Sequence, residues 1–241
     1  MLRKLTMVLL AWGMLAAALA YGSEADIRRK VQTMFPDAAI ESVTKTPFSG
    51  LYEVVLGGRI LYTDEKVSYV FIGSLLDTRG PVEKDLTRER NAQLAGQTLR
   101  KSTDLAIKRV RGNGKRVLYT FEDPNCGYCK ELQKALAKVT DITIYTFLWP
   151  ILAPDSVEKS KAVWCARDRG KAWDDLMSRG VEPQNDGKCE TPLDKNMQLA
   201  RRFGIRGTPA IYLSDGRQAS AGFMQATELE QALNSVPAQS K

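Results

Sequence analysis

The chain has 241 residues, a formal net charge of +7 and an apolar fraction of 44%. That length exceeds one average domain and accommodates two modest ones, and the apolar share is enough to build a core. The basic residues are scattered among acids, and two of them are Arg3 and Lys4. The charge therefore reads as a solvated surface, and no nucleic-acid partner is expected. Histidine is absent, which excludes Ser-His-Asp and Cys-His catalysis, His-based metal sites and c-type haem attachment.

Arg3 and Lys4 precede an apolar, alanine-rich stretch from Leu5 to Ala20, and the polar Ser23-Glu24-Ala25-Asp26 follows. Small residues at Ala18 and Ala20 complete the pattern of a secretory signal peptide over 1–20. The competing reading, an uncleaved membrane anchor, needs roughly 20 apolar residues, and this stretch offers about 16. The mature chain is expected to be exported.

Ile27, Val31, Met34 and Phe35 form one apolar helical face, closed by Pro36. The segments Leu51–Leu56, Arg59–Thr63 and Val67–Ile72 alternate like strands, with turns at Gly57-Gly58 and Asp64-Glu65. Residues 83 to 110 are charged with interspersed alanine and leucine and read as a linker helix, and Gly112-Asn113-Gly114 marks a border.

Arg116–Phe121 reads as a buried strand and Glu122-Asp123-Pro124-Asn125 as a turn. From Cys126 the spacing turns helical, with Leu132, Leu136 and Val139 on one face. Ile142–Leu148 is a second strand, ending at Trp149-Pro150. A capping box at Asp155-Ser156-Val157-Glu158 opens a helix through Cys165. Another helix runs from Leu193 to Phe203, with Pro192 at its first position and Gly204 at its stop. The strand Ala210–Leu213, a turn at Ser214-Asp215-Gly216, a short strand and a helix capped by Thr227 and Glu230 complete the chain. Strand–helix–strand, an insertion, then strand–strand–helix is the order of an α/β sheet of the thioredoxin type.

Four cysteines remain: 126, 129, 165 and 189. An even count in an exported chain points to disulfide chemistry. A four-thiolate zinc site is the alternative, but it wants two close pairs, and only Cys126 and Cys129 are close. The partition is then a reactive pair, Cys126 with Cys129, and a structural bridge, Cys165 with Cys189. Closing that loop of about 25 residues stabilises by about 3.5 kcal/mol on the chain-entropy account. Cys126 at a helix N-terminus meets unpaired N–H groups and the positive end of the helix dipole, which favour thiolate. Cys129, three residues on, is placed to close a disulfide with it. No cofactor is called for.

Three stretches carry a family resemblance: Phe-Glu-Asp-Pro-Asn-Cys-Gly-Tyr-Cys (121–129), Trp-Cys-Ala-Arg-Asp-Arg-Gly-Lys-Ala-Trp-Asp-Asp-Leu-Met (164–177) and Gly-Ile-Arg-Gly-Thr-Pro-Ala-Ile-Tyr-Leu-Ser-Asp-Gly (204–216). In this order they resemble the periplasmic disulfide isomerases of the DsbC/DsbG type, and the dipeptide Gly127-Tyr128 resembles the DsbC branch. The resemblance implies a small N-terminal α+β, cystatin-like dimerisation domain over 21–82 and a linker helix over 83–111. It implies a thioredoxin-like catalytic domain with a helical insertion over 112–241. It further implies Cys126 and Cys129 as the catalytic dithiol, a cis Pro209 facing Cys126 with Thr208 before it, and the Cys165–Cys189 bridge. The expected partners are misoxidised exported clients, a membrane electron donor of the DsbD type and a second copy of the chain. Lys130 departs from the family, since many relatives carry histidine there; an ammonium beside the dithiol also favours thiolate. Within the resemblance three activities are open: isomerase and reductase, a DsbG-like reductase of oxidised single cysteines or net oxidant, and a holdase chaperone with an incidental dithiol.

Overall fold

The computed structural model describes residues 23–48 and 50–237. The signal peptide expected over 1–20 lies outside the described residues, and among those described no helix is long and apolar enough to cross a membrane. The chain divides into two compact units after Thr87.

In the first unit a helix over 23–34, α1, packs on an antiparallel sheet in the order β1 (Ile40–Lys45), β2 (Leu51–Leu56), β3 (Arg59–Asp64), β4 (Val70–Phe71). Ile27 and Val31 of α1 are buried on Val43, Tyr52, Val54 and Leu61. Their spacing, i and i+4 on the helix against alternate residues of the strands, makes these two faces meet. Gly57 and Gly58 both have positive φ, 57° and 80°, which a two-residue turn matching strand twist requires. They set the β2–β3 register that pairs Leu56 with Arg59. The third strand expected over Val67–Ile72 is shorter than its alternation implied. The Asp64 carboxylate takes the amides of Lys66, Ser68 and Tyr69, so pairing begins only at Val70. A hairpin of β5 (Leu76–Asp77) and β6 (Lys84–Asp85) follows.

The second unit is built on a five-stranded sheet, ordered β11 (Gln218–Ser220), β10 (Ala210–Leu213), β8 (Arg116–Glu122), β9 (Ile142–Leu148), β7 (Ile107–Arg111). Strands β8 and β9 are parallel and α3 (Gly127–Leu136) joins them; the other pairs are antiparallel. Leu118, Ile142, Ile144 and Ile211 point to one face, under α3 and α7 (Ala226–Asn234). Tyr119, Phe121, Phe147 and Tyr212 point to the other, under Leu99 of α2 (Leu86–Lys101) and Leu199 of α6 (Leu193–Arg202). Helices α4 (Ser156–Trp164) and α5 (Arg169–Arg179) form the insertion.

The helix expected over 83–111 is therefore confined to Leu86–Lys101, and a turn of 3-10 helix at Thr103–Leu105 leads into β7. Strand β7 alternates between buried and open positions, but one of its buried residues is Arg109, so its polar sequence hides the alternation. Two helix starts also differ from expectation. Asp155 makes no cap bond to α4, because its carboxylate accepts from Asn125 and pairs with Lys159. Helix α7 is capped by Gln225 with Glu228, while Glu230 is held by Arg116.

Candidate active site

Strand β8 runs one residue further than its sequence pattern, through Glu122, and delivers the chain into a turn organised by Asp123. The Asp123 carboxylate is fully buried. It accepts from the amides of Asn125 and Ile151 at 2.7 Å, from Leu152 at 2.9 Å and from the Ser156 hydroxyl at 2.9 Å. Its own carbonyl accepts from the Cys126 amide at 3.1 Å. One side chain thus sets the entry to α3 and ties the 150–156 loop beside it.

Cys126 is the N-cap of α3, and its sulfur accepts from the Cys129 amide at 3.4 Å. Cys126 and Cys129 are unbridged, and both are buried. The Thr208–Pro209 peptide is cis and lies against the pair. The Cys126 thiol donates to the Thr208 carbonyl at 3.2 Å, and the Cys129 sulfur lies 3.0 Å from the Thr208 hydroxyl. That hydroxyl donates to the Phe121 carbonyl at 3.1 Å, so its lone pairs face the Cys129 thiol.

The two thiols are driven apart electrostatically. The hydrogen bond from the Cys129 thiol, joined by the Cys129 and Tyr128 amides and opposed by burial, brings Cys126 down from 9.0 to about 6. Burial pushes Cys129 up, and its bond to Cys126 and the negative charge of Glu122 add to that. The Cys126 sulfur is therefore biased toward thiolate near neutral pH and the Cys129 sulfur toward thiol. The groups that lower Cys126 most are these neighbours, and Lys130 is not among them. Tyr128 is 68% exposed beside the dithiol. A Cβ on Gly127 would meet nothing within 4 Å, so no contact demands glycine there.

Cys165 and Cys189 are joined by a disulfide with Cα atoms 5.7 Å apart. Two of the four thiolates that a zinc site would need are thereby committed. The bridge fastens the end of α4 to the segment before α6, where Trp164 Nε1 donates to the Glu190 carbonyl at 3.2 Å and Arg169 stacks over the same indole.

Beneath the dithiol lies a buried polar layer that sequence reading missed. Glu122 accepts from Thr120 and from Gln133 Nε2, each at 2.7 Å. Arg109 donates to Gln133 Oε1 and to Asp174, each at 2.6 Å, and to Thr146 at 3.0 Å. Glu122, Thr120, Gln133, Thr146 and Arg109 are all buried. Gln133 is one helical turn past Cys129, so the carboxylate it holds lies under the helix face that carries that cysteine. The only signal in the sequence is strand alternation from Leu118 through Thr120 to Glu122, which places all three side chains on the α3 face.

Comparison with known proteins bears on the fold and the family. Residues 18–88 match the family described as the disulfide bond isomerase protein N-terminal domain, and residues 103–237 match a thioredoxin-like domain. The chain is 43% identical over 208 residues to a probable thiol:disulfide interchange protein DsbC of Bordetella pertussis, covering 86% of this chain and 73% of that protein. It is 27% identical over 197 residues to the thiol:disulfide interchange protein DsbC of Escherichia coli K12, covering 80% of each. Among solved structures, a disulfide interchange protein from Neisseria gonorrhoeae superposes with a TM-score of 0.53 at 40% identity, over 55% of this chain and 96% of that one. With a thioredoxin-like sheet, an N-terminal unit of the isomerase type and a relative of this identity over most of its length, the chain belongs to the DsbC family of thiol:disulfide interchange proteins.

Proposed function

We propose that the protein is a periplasmic disulfide isomerase and reductase of misoxidised exported proteins, with Cys126 as nucleophile and Cys129 as resolving thiol. The observation that carries this reading is the placement of Cys126 at the start of α3, where its pKa falls to about 6 while Cys129 stays protonated. The Cys126 thiolate attacks one sulfur of a client disulfide; the client S–S bond breaks, a mixed disulfide forms and the other client sulfur leaves as thiolate. A second client thiolate can then attack the mixed disulfide, which moves the bond within the client and returns Cys126 as thiolate. Alternatively, Cys129 gives its proton to the nearby Glu122 carboxylate and attacks Cys126. The Cys126–Cys129 disulfide forms and the client departs reduced by two electrons.

In this reading Thr208 and Pro209 form the wall against which the client sulfur is exchanged, and Tyr128 contacts the client. The dithiol must be reduced again after each reductive turnover, which calls for a membrane electron donor of the DsbD type. The segment 21–82 serves dimerisation, α2 and the turn after it lead into the catalytic sheet, and the residues from β7 onward carry the chemistry. A first unit this small buries limited apolar surface alone, and among the described residues β4 is an edge strand of its sheet with Phe71 exposed, both of which favour pairing with a second copy. Refolding of scrambled ribonuclease tests the reading: wild type restores ribonuclease activity, and Cys126→Ala does not. Equal activity of the two would refute it.

A further inference from the structure

The polar layer under the dithiol runs as one hydrogen-bonded line from the protein surface to Glu122. Asp174 on α5 is 42% exposed and Arg109 beside it only 5%, so the ion pair bridges solvent and interior. Arg109 continues to Gln133 Oε1, and the amide of the same residue reaches Glu122. The line stands between two apolar clusters, one around Leu118, Leu136 and Ile144 and one around Cys129, Leu148 and Trp173. A buried arginine and a buried glutamate in such a place are costly unless each is matched. Here the match is shared by three elements: β7 supplies the cation, β8 the acid, and α3 the amide between them. Helix α5 also seats on the arginine stem, since a Cβ at Gly170 would lie 3.2 Å from Arg109 Cγ.

We infer that Arg109 and Asp174 are positioning residues for the resolving step: their ion pair sets the charge on Glu122 and so the pH at which Cys129 attacks the mixed disulfide. This inference rests on the resolving role given to Cys129 above. Burial pushes Glu122 up, and the Arg109 guanidinium pulls it back toward the ionised form that can accept the Cys129 proton. Asp174 competes for the same guanidinium. The charged and titratable groups around the line are Cys126 and Cys129 from the start of α3, Glu122 itself from β8 and the buried Asp123 after it, Arg109 and Arg111 from β7, and Asp174 from α5. Thr120, Thr146 and Gln133 contribute only neutral hydrogen bonds. In the step, the proton moves from Cys129 Sγ to Glu122, a sulfur–sulfur bond forms between Cys129 and Cys126, and the bond from Cys126 to the client breaks. The electron pair leaves on the client thiolate.

The sign differs for the two ends of the line. Losing the cation leaves Glu122 protonated to higher pH, which delays resolution; losing Asp174 frees the cation, which makes resolution easier. The full-length reduced protein is mixed with an aromatic disulfide that releases one nitrothiobenzoate when Cys126 attacks and a second when Cys129 resolves, across a range of pH. Arg109→Gln should move the second phase alkaline by about one pH unit, roughly a tenfold slowing below its midpoint, and Arg109→Lys should restore most of it. Asp174→Asn, a change at a half-exposed position, should move the second phase in the acid direction. In a Glu122→Gln background neither change should shift it further. The inference is overturned if Asp174→Asn and Arg109→Gln leave the second phase where it was, or shift it in the same direction. It is equally overturned if either shift persists without Glu122. Failure of the resolving role itself has a different signature, a second phase that survives Cys129→Ala.

Discussion

The Cys129 sulfur and the Thr208 hydroxyl meet at 3.0 Å across the active site, while the same hydroxyl donates to the Phe121 carbonyl. A hydroxyl has one proton, so in the dithiol state Thr208 accepts from Cys129. When Cys129 ionises, the hydroxyl can turn its proton to the sulfur and ease the charge. Thr208→Val keeps the shape and removes this partner. Resolution by Cys129 should slow by roughly tenfold, the scale of one hydrogen bond to a charged group, with attack by Cys126 changed much less. Quenched-flow separation of the mixed disulfide from the oxidised product checks this.

Cys126 gives the protein a pH dependence of definite sign. Its folded pKa, about 6, lies below the ordinary 9.0, so the fold favours thiolate. The resulting stabilisation of the reduced form is fully present above pH 9 and is lost as pH falls through 6. Alkylation of reduced protein by iodoacetamide should therefore rise steeply through pH 6 and flatten above pH 7, at one thiol per chain. The gap in stability between reduced and oxidised forms should shift toward the reduced form over pH 6 to 9.

Asp123 holds the loop beside the site in place. Four donors converge on its buried carboxylate, from Asn125, Ile151, Leu152 and Ser156. Asp123→Ala leaves all four without that acceptor, and a loss of about 3 kcal/mol in chemical denaturation is expected. Hydrogen exchange should then quicken at Ile151 and Leu152 before it does in β8.

At the far end of the sheet, Gly216 lies directly on α2. A Cβ there would stand 1.9 Å from the Ala92 carbonyl oxygen, and φ is 86°. Gly216→Ala meets backbone that cannot turn aside, so a loss of at least about 3 kcal/mol is expected. Thermal unfolding measures it, and an unchanged midpoint would mean α2 does not pack there.

How much of this could be read from the chain alone depends on whether a residue sits where its chemistry suggests. The change from strand alternation to helical spacing at Cys126, together with the two cysteines, marks the dithiol and the helix that presents it. Tyr119 and Phe121 alternating with Leu118 place β8 in the middle of the sheet, buried on both faces. Arg109 and Glu122 run against the same rules. A charged residue reads as solvated, so β7 passes for linker and Glu122 for turn, although both side chains are buried. Nothing local in the sequence pairs residue 109 with 133 or 174; only the fold brings β7, α3 and α5 together. The short β4 has a similar cause, since the amides captured by Asp64 leave no trace in the hydrophobic pattern.

The central claim is that Cys126 is the sulfur that joins to clients. Reduced Cys129→Ala protein, mixed with scrambled ribonuclease, quenched with acid and analysed by intact mass and peptide mapping, tests it most directly. The account predicts a one-to-one adduct linked through Cys126, long-lived because no resolving thiol follows. Absence of an adduct, or an adduct of equal yield when Cys126 is also replaced by alanine, would contradict it.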